Sequence, residues 1–227
     1  MLVGHGIIAS SFKIYKSDER FIIFASGVSN SLEKDNKEFI RERDLLETNL
    51  KENSDKLFIY FSSCSIEDSE LKDTPYHIHK KAMEEIIKLT SKHYLIFRLP
   101  NIIGNGGSKN TIINFLINKI TSNQKFELWE NATRNIIDIE DVCKIVSYII
   151  ENRIFNNNII NISYDKNNKL VDIVNAIEII HNKNAFYTVI NKGVDLKIDN
   201  SKIKQIMKEL GIVQPKIINI LKKYKEL

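Results

Sequence analysis

The stretch FIYFSSCSIEDSELKDTPYHIHK, residues 58–80, decides how the rest of the chain is read. With Leu57 before it, it opens as an apolar, β-branched and aromatic run to Phe61 that ends in the hydroxyls Ser62, Ser63 and Ser65. A loop then leads to Pro75 and a helical pattern beginning at Tyr76, so the order is strand, loop, helix. On that helix Tyr76 and Lys80 stand four residues apart and share one face. A free phenol titrates near about 10 and is a poor acid or base at neutral pH. A close ammonium stabilises its phenolate, and a serine hydroxyl aligns the substrate oxygen that gains or loses the proton. These residues suit proton movement coupled to a departing or arriving hydride. Eight tyrosines in a lysine-rich chain yield roughly one Tyr-x-x-x-Lys by chance, and Tyr76–Lys80 is the only instance. The plain alternative is a half-buried tyrosine opening an amphipathic helix, with a solvated lysine one turn on.

Upstream, Gly4-His5-Gly6-Ile7-Ile8-Ala9 is a Gly-x-Gly-x-x-Ala pattern between a short apolar run and a helical stretch to about Tyr15. It fits a strand turning into a helix whose N–H groups hold a pyrophosphate. An acidic residue to hold a ribose is expected about twenty positions further on, after a second strand. Instead the chain passes through Ser17-Asp18-Glu19-Arg20 directly into the strand Phe21 to Ala25 and the small polar run Ser26 to Ser31. Residues 33–54 read as a charged helix with Phe39, Ile40, Leu46 and Leu50 as a partial apolar face. Downstream, the Tyr76 helix runs to about Lys92, the strand Tyr94 to Leu99 follows, and Pro100 to Gly107 forms a loop. A helix at about 111–121, a strand Phe126 to Trp129, the stretch Arg134 to Val142 entering a helix to about Glu151, and a strand Asn158 to Ile162 come next. Helices at 170–181, 201–210 and 215–224 close the chain. Strands alternating with helices predict an α/β fold with a doubly wound, mostly parallel sheet, in which ligands bind beyond the carboxyl ends of the strands. Gly4 to Gly6, Ser26 to Ser31, Ser62 to Ser65 and Pro100 to Asn101 all fall at such ends.

The 227 residues, 43% hydrophobic and 27% charged, suit one sizeable globular domain or a core with a small lobe. The expected division is a core over 1–104, completed by about 134–163, with 105–133 and 164–227 as the small lobe. Cys64 and Cys143 lack metal-ligand spacing, so reduced thiols, a cytoplasmic location and no metal are expected. No signal peptide or membrane-spanning run is read. The net charge of +4 comes from lysines spread along the chain rather than from a basic, aromatic-interleaved groove, which argues against a nucleic-acid partner.

These residues together resemble the extended short-chain dehydrogenase/reductases acting on nucleotide sugars, the NAD-dependent epimerase/dehydratase type. Five signatures carry the resemblance in order along nearly the whole chain: GHGIIA, FASGVS, FSSCS with YHIHK, RLPNIIG and RNIIDIEDV. The resemblance implies a Rossmann-like core, here shortened at the adenosine-side edge by loss of the second and third strands, with a small C-terminal substrate lobe. It implies an NAD- or NADP-dependent epimerase or ketoreductase, an oxidoreductase or isomerase of polysaccharide biosynthesis, acting on a nucleotide sugar. Tyr76 is then the general acid/base, Lys80 its ammonium and the ligand of the nicotinamide ribose, and Ser63 the hydroxyl partner, with Ser62 its competitor one residue away. Gly4, Gly6 and Ala9 match the pyrophosphate turn, and Ala25, Gly27 and Pro100 the strand ends along the cofactor. Asn101 matches a substrate-contacting asparagine, Arg134 a diphosphate-clamping guanidinium, and Lys192, in Lys192-Gly193-Val194-Asp195, stands where an arginine is usual. The alternatives are a loop cap for Asn101 and an ion pair with Glu140 or Asp141 for Arg134.

Two departures follow. The missing strands weaken the adenosine side and leave nothing to choose between NAD and NADP. Cys64-Ser65 replaces the Asp-Glu pair of dehydratases and resembles epimerase/reductases in which a cysteine works with a histidine; His79, on the Tyr76 face, is the candidate for that histidine, but a surface or interface position is expected for it. The helices at about 33–54 and 76–92 have apolar residues to spare and imply a homodimer. A catalytically degenerate binding protein, or a structural subunit of a homologous enzyme, is the competing reading.

Overall fold

The computed structural model describes residues 1–68, 71–106 and 111–224. Gly107, which closes the glycine-rich loop after Pro100, lies outside the described residues. The chain opens with strand β1 (Leu2–Val3), the short helix α1 (Ile7–Ser11) and a 3-10 turn at Lys13–Tyr15. Strand β2 (Phe21–Phe24), helix α2 (Asn36–Glu52), strand β3 (Leu57–Ser63), a 3-10 turn at Cys64–Glu67, helix α3 (Pro75–Thr90) and strand β4 (Tyr94–Leu99) complete the first half. Then come β5 (Asn101–Ile103), α4 (Ile112–Thr121), β6 (Phe126–Trp129), β7 (Thr133–Arg134), β8 (Ile136–Asp138), α5 (Ile139–Glu151) and β9 (Asn158–Asn161). The chain finishes with β10 (Asn168–Lys169), α6 (Leu170–His181), β11 (Tyr187–Ile190), a 3-10 turn at Ser201–Ile203, α7 (Lys204–Glu209) and α8 (Ile217–Lys223).

The central sheet has five strands in the order β1-β2-β3-β4-β9, all parallel. Its strands are continuous apolar runs because both faces are covered. Alternate residues divide between them: Phe58, Tyr60 and Ile96 meet Leu46 and Leu50 of α2 and Met83 and Ile87 of α3. Ile59, Phe61 and Phe97 face the other way into a larger core with Val142, Ile145 and Ile149 of α5. Ile173 and Val174 of α6 and Ile220, Leu221 and Tyr224 near the C-terminus belong to that same core, so the C-terminal segment is packed continuously with the sheet. The sheet ends at β1 on one side, in agreement with the expected loss of two strands.

Three two-stranded sheets ride on this frame: β5 with β8 (parallel), β6 with β11 (parallel) and β7 with β10 (antiparallel). The first fixes Asn101 opposite Ile136 and so brings the loop after β4 beside Arg134. The helix expected to run to Tyr15 breaks at Phe12, which is fully buried, and the chain tightens into the 3-10 turn.

Asp138, at the end of β8, caps α5 by accepting from Glu140 N–H (2.9 Å) and also accepts from Tyr224 Oη (2.6 Å) and Lys223 Nζ (2.8 Å). Burial pushes this carboxyl up, but the hydrogen bonds from Lys223, Tyr224 and the Glu140 amide outweigh it and hold the group below the usual carboxylate range. Tyr224→Phe is expected to cost about 1.5–3 kcal/mol at pH 7, the usual worth of a hydrogen bond to a charged group. Urea denaturation checks this. Because the folded carboxyl titrates below the unfolded one, the contribution is full above an unfolded value of about 3.9 and shrinks as pH falls through the folded one.

Candidate functional site

The carboxyl ends of β1 to β4 lie side by side, so the segments that follow them form one rim. Gly4 has φ +125°, and a Cβ there would stand 2.2 Å from the Ala25 carbonyl oxygen, so only glycine lets the β1 loop lie against the end of β2. Gly6 precedes α1 and faces open space, with nothing within 4 Å of a Cβ built on it. Ala9 is buried and serves packing. With five residues, α1 offers little of the dipole that longer helices bring to a pyrophosphate.

Tyr76 and Lys80 do share the inward face of α3. The Tyr76 ring is buried in a small cluster with Val28 from the loop after β2 and Phe39 from α2. Its hydroxyl makes no hydrogen bond among the described residues. Lys80 is 2% exposed, with Nζ 5.8 Å from the centre of the Tyr76 ring. The solvated-lysine alternative is therefore excluded. What the sequence did not single out is the partner of Lys80: Nζ donates to Glu42 Oε1 (3.0 Å) and to Tyr60 Oη (3.1 Å). Glu42 is fully buried and also accepts from Tyr60 Oη (2.6 Å), Val28 N–H (2.6 Å) and His79 Nε2 (3.0 Å). Burial pushes the Glu42 carboxyl up, but the Lys80 charge and these hydrogen bonds overcome it and hold it well below the usual carboxylate range. Burial, then the Glu42 charge, keeps the Tyr60 phenol protonated far above neutrality. The signal for Glu42 was present in its spacing: with Phe39, Leu46 and Leu50 it falls on the buried stripe of α2.

Strand alternation turns Ser62 to the α2–α3 face with Tyr60, where its hydroxyl is buried and without a partner among the described residues. Ser63 points the other way, and its hydroxyl accepts from Ser65 N–H (3.2 Å) and pairs with Ser65 Oγ (2.7 Å), capping the 3-10 turn. Cys64 is buried and donates to the Arg98 carbonyl (3.2 Å), and burial drives its thiol pKa far up. His79, expected at a surface or interface, is buried on Glu42 and against the Phe39 ring at 4.8 Å. Cys64 and His79 thus turn to different partners. Gly27 is backed by Lys80: a Cβ would stand 2.6 Å from Nζ and 3.0 Å from Glu42 Oε1.

Asn101 donates through Nδ2 to the Asn135 carbonyl (3.1 Å), the loop-capping role, and Pro100, half-buried, joins β4 to β5. Arg134 donates to the Thr133 carbonyl (2.7 Å) and meets no carboxylate within ion-pair distance among the described residues. Glu140 instead pairs with Lys223 (2.7 Å), and Asp141 with Lys144 (3.3 Å) and Tyr164 (2.6 Å). Burial pushes the Arg134 guanidinium down while Asp68 opposes this, and it stays charged. The Lys192–Asp195 turn docks beside it: Asp195 accepts from Thr133 Oγ1, and Gly193, with φ +95°, leaves room for Ala132. Lys192 lies over the Trp129 ring, 5.9 Å from its centre. A cleft of about 690 Å³ further along the C-terminal segment, lined by Lys166, Lys204, Met207 and Val213, takes in none of these residues. Among the described residues no three or more His, Cys, Asp or Glu are placed to hold a metal, and no helix is long and apolar enough to cross a membrane.

Sheet, rim and crossover helices define a Rossmann-like α/β protein of the kind that binds nucleotides at the switch in strand order. The chain belongs to the NAD dependent epimerase/dehydratase family, whose model matches residues 8–163 and so begins just after Gly6. Solved structures with the same fold include dTDP-glucose 4,6-dehydratase from Bacillus anthracis in complex with NAD (TM-score 0.68, 14% identity, 97% of this chain and 77% of that one). Others are UDP-glucuronic acid 4-epimerase from Bacillus cereus in complex with UDP-glucuronic acid and NAD (0.67, 18%, 93% and 76%) and UDP-glucose 4-epimerase from Thermus thermophilus in complex with NAD (0.69, 12%, 94% and 80%). No curated protein sequence matches the chain.

Removing the Glu42 charge by Glu42→Gln is expected to destabilise the fold by about 3–5 kcal/mol at pH 7, because Lys80 is left as an unpaired buried charge. Urea midpoints across pH check the sign. The folded Glu42 carboxyl lies below its unfolded value of about 4.3, so the wild-type advantage is full above that pH and narrows as pH falls below it.

Proposed function

We propose that this protein is a nicotinamide-dinucleotide-dependent enzyme that epimerises or reduces a nucleotide sugar, with Tyr76 as the group that exchanges the proton. What supports this reading is the Tyr76 hydroxyl, without a hydrogen-bond partner among the described residues, its ring packed on Val28 from the loop after β2 and its helix partner Lys80 one turn away. Membership of the family supports it. The fit to a dinucleotide is uneven. The Gly4 turn and the open space over Gly6 suit a pyrophosphate, while the sheet ends at β1, where an adenosine would need two further strands. Gly4, Gly6, Ala25 and Pro100 would hold the cofactor, NAD or NADP, which when bound supplies the hydride acceptor or donor.

The chain's own residues do the rest. The Tyr76 hydroxyl gives or takes the proton of the sugar alcohol, and a serine hydroxyl holds that alcohol's oxygen. Of the two candidates, Ser63 is half-buried and uses its hydroxyl on the turn, while the Ser62 hydroxyl has no partner among the described residues but is buried. Arg134, charged and without an ion-pair carboxylate among the described residues, clamps the diphosphate, and Asn101 and Lys192 are the further substrate contacts. Outward-facing Ile40 of α2 and Ile78 of α3 support pairing with a second copy through these helices. A second reading, a binding protein without turnover, is favoured by the burial of Lys80 behind Glu42 and by the open adenosine side.

Calorimetry with NAD and NADP, followed by turnover with UDP-glucose, UDP-glucuronic acid and dTDP-glucose, tests the proposal. Tyr76→Phe is expected to lower turnover by at least about 100-fold while dinucleotide affinity holds. Ser62→Ala and Ser63→Ala, compared on the same substrate, decide the serine. Full turnover in Tyr76→Phe ends the proposal. Sugar-nucleotide binding with no dinucleotide uptake at millimolar concentration selects the second reading.

A further inference from the structure

Glu42 collects four donors from three separate elements: Val28 N–H from the loop after β2, Tyr60 Oη from β3, and His79 Nε2 and Lys80 Nζ from α3, while itself standing on α2. Two carboxylate oxygens offer about four lone-pair sites. With this set of donors they are filled, so the carboxylate is pinned. Lysine, by contrast, is a point charge on a flexible stem and sits where its partner puts it. Its ammonium bonds Glu42 Oε1 at 3.0 Å and Tyr60 Oη at 3.1 Å, with Glu42 Oε2 at 3.4 Å, so its donors are already engaged from behind. In front, the absent side chain of Gly27 leaves the space that Nζ occupies. The same α2 segment supplies Phe39, which with Val28 covers the Tyr76 ring. One carboxylate therefore fixes both the ammonium and the walls around the phenol.

Building on the reading of Tyr76 as the proton-exchanging group, we propose that Glu42 is a positioning residue of this site: it tethers the Lys80 ammonium beneath Gly27, and Lys80 serves a bound ligand only from that tethered place. The pair is net neutral and the ammonium donors are engaged, so Lys80 acts by its fixed position more than by an unopposed charge. Loss of the tether releases the stem and shifts the ammonium relative to Tyr76, and a displacement of about 1 Å in such a site costs about 100-fold in rate.

The first test needs no substrate. The folded wild-type chain is acetylated with acetic anhydride and each lysine is read by mass spectrometry. Lys80 is expected to react at least about 100-fold more slowly than exposed Lys72, since only local opening exposes it. In Glu42→Gln its rate is expected to rise at least about tenfold, and Glu42→Asp restores part of the protection. Gly27→Ala, which leaves the carboxylate intact but fills the space of Nζ, is expected to raise labelling in the same way, so a poorly folding Glu42→Gln does not stall the test. The second readout is turnover on whichever nucleotide sugar the wild type accepts. With the folded fraction of each variant measured by circular dichroism and kcat taken per folded molecule, Glu42→Gln is expected to lower kcat by about 100-fold with KM for the sugar within about twofold.

Lys80 labelling as fast as Lys72 in the wild type overturns the proposal, as does unchanged kcat in Glu42→Gln. A wild type that turns over no nucleotide sugar overturns the role of Tyr76 instead. The labelling of Lys80 then decides the tether alone: slow in the wild type and fast in Glu42→Gln supports it, and equal rates overturn it.

Discussion

A carboxylate removed from water must be met by donors on every side, and the α2–α3 half of the molecule is arranged to meet that demand at Glu42. Apolar packing alone lets helices slide. A filled set of hydrogen bonds from a loop, a strand and a neighbouring helix does not. The same device recurs one turn further along α3, where buried Glu84 takes a forked pair of hydrogen bonds from Arg98 at the end of β4 (2.9 and 2.7 Å), and Arg98 also reaches Glu67 (2.9 Å). The helix that carries Tyr76 is thus held to the sheet by two charged contacts in addition to Met83 and Ile87.

The opposite face of the sheet is held by apolar contact. One core runs from Phe12 through Phe61 and Phe97 to α5, α6 and α8, joining the strands to the C-terminal segment. The consequence for the rim is an unequal pair of walls. The ends of β3 and β4 belong to elements tied to both cores, whereas the end at β1 consists of a two-residue strand and a five-residue helix. A ligand laid along the rim would meet a firm surface at one end and an open one at the other.

The central sheet was legible because its strands are apolar on successive residues, as Phe58 to Phe61 and Tyr94 to Leu99 are, and a strand buried on both faces reads that way. The small sheets were not. Tyr187–Ile190 has its middle residues exposed and is a strand only because Phe126–Trp129 lies beside it, and β5, β7 and β10 are two or three residues long. Spacing alone put Tyr76 and Lys80 on one face, and α3 keeps them on its inward side; the alternative ion pair for Arg134 is not formed, since Glu140 and Asp141 pair with Lys223, Lys144 and Tyr164. Glu42 was hidden among charges: Arg41, Arg43, Asp44 and Glu47 face outward around it, and only its place on the Phe39–Leu46 stripe distinguishes it. His79 was misjudged for the same reason, since a histidine's surroundings depend on a helix more than thirty residues away.

The bond between Asp138 and the hydroxyl of Tyr224 spans most of the second half of the chain. It sets an order of events during synthesis. The first turn of α5 keeps its backbone cap from Asp138 alone, but the carboxylate is fully satisfied, and the large core sealed, only once the segment around residue 224 has left the ribosome. Until then the apolar face of α6 on which α8 packs is exposed on the nascent chain, and chaperones that recognise apolar surface have a defined interval in which to act.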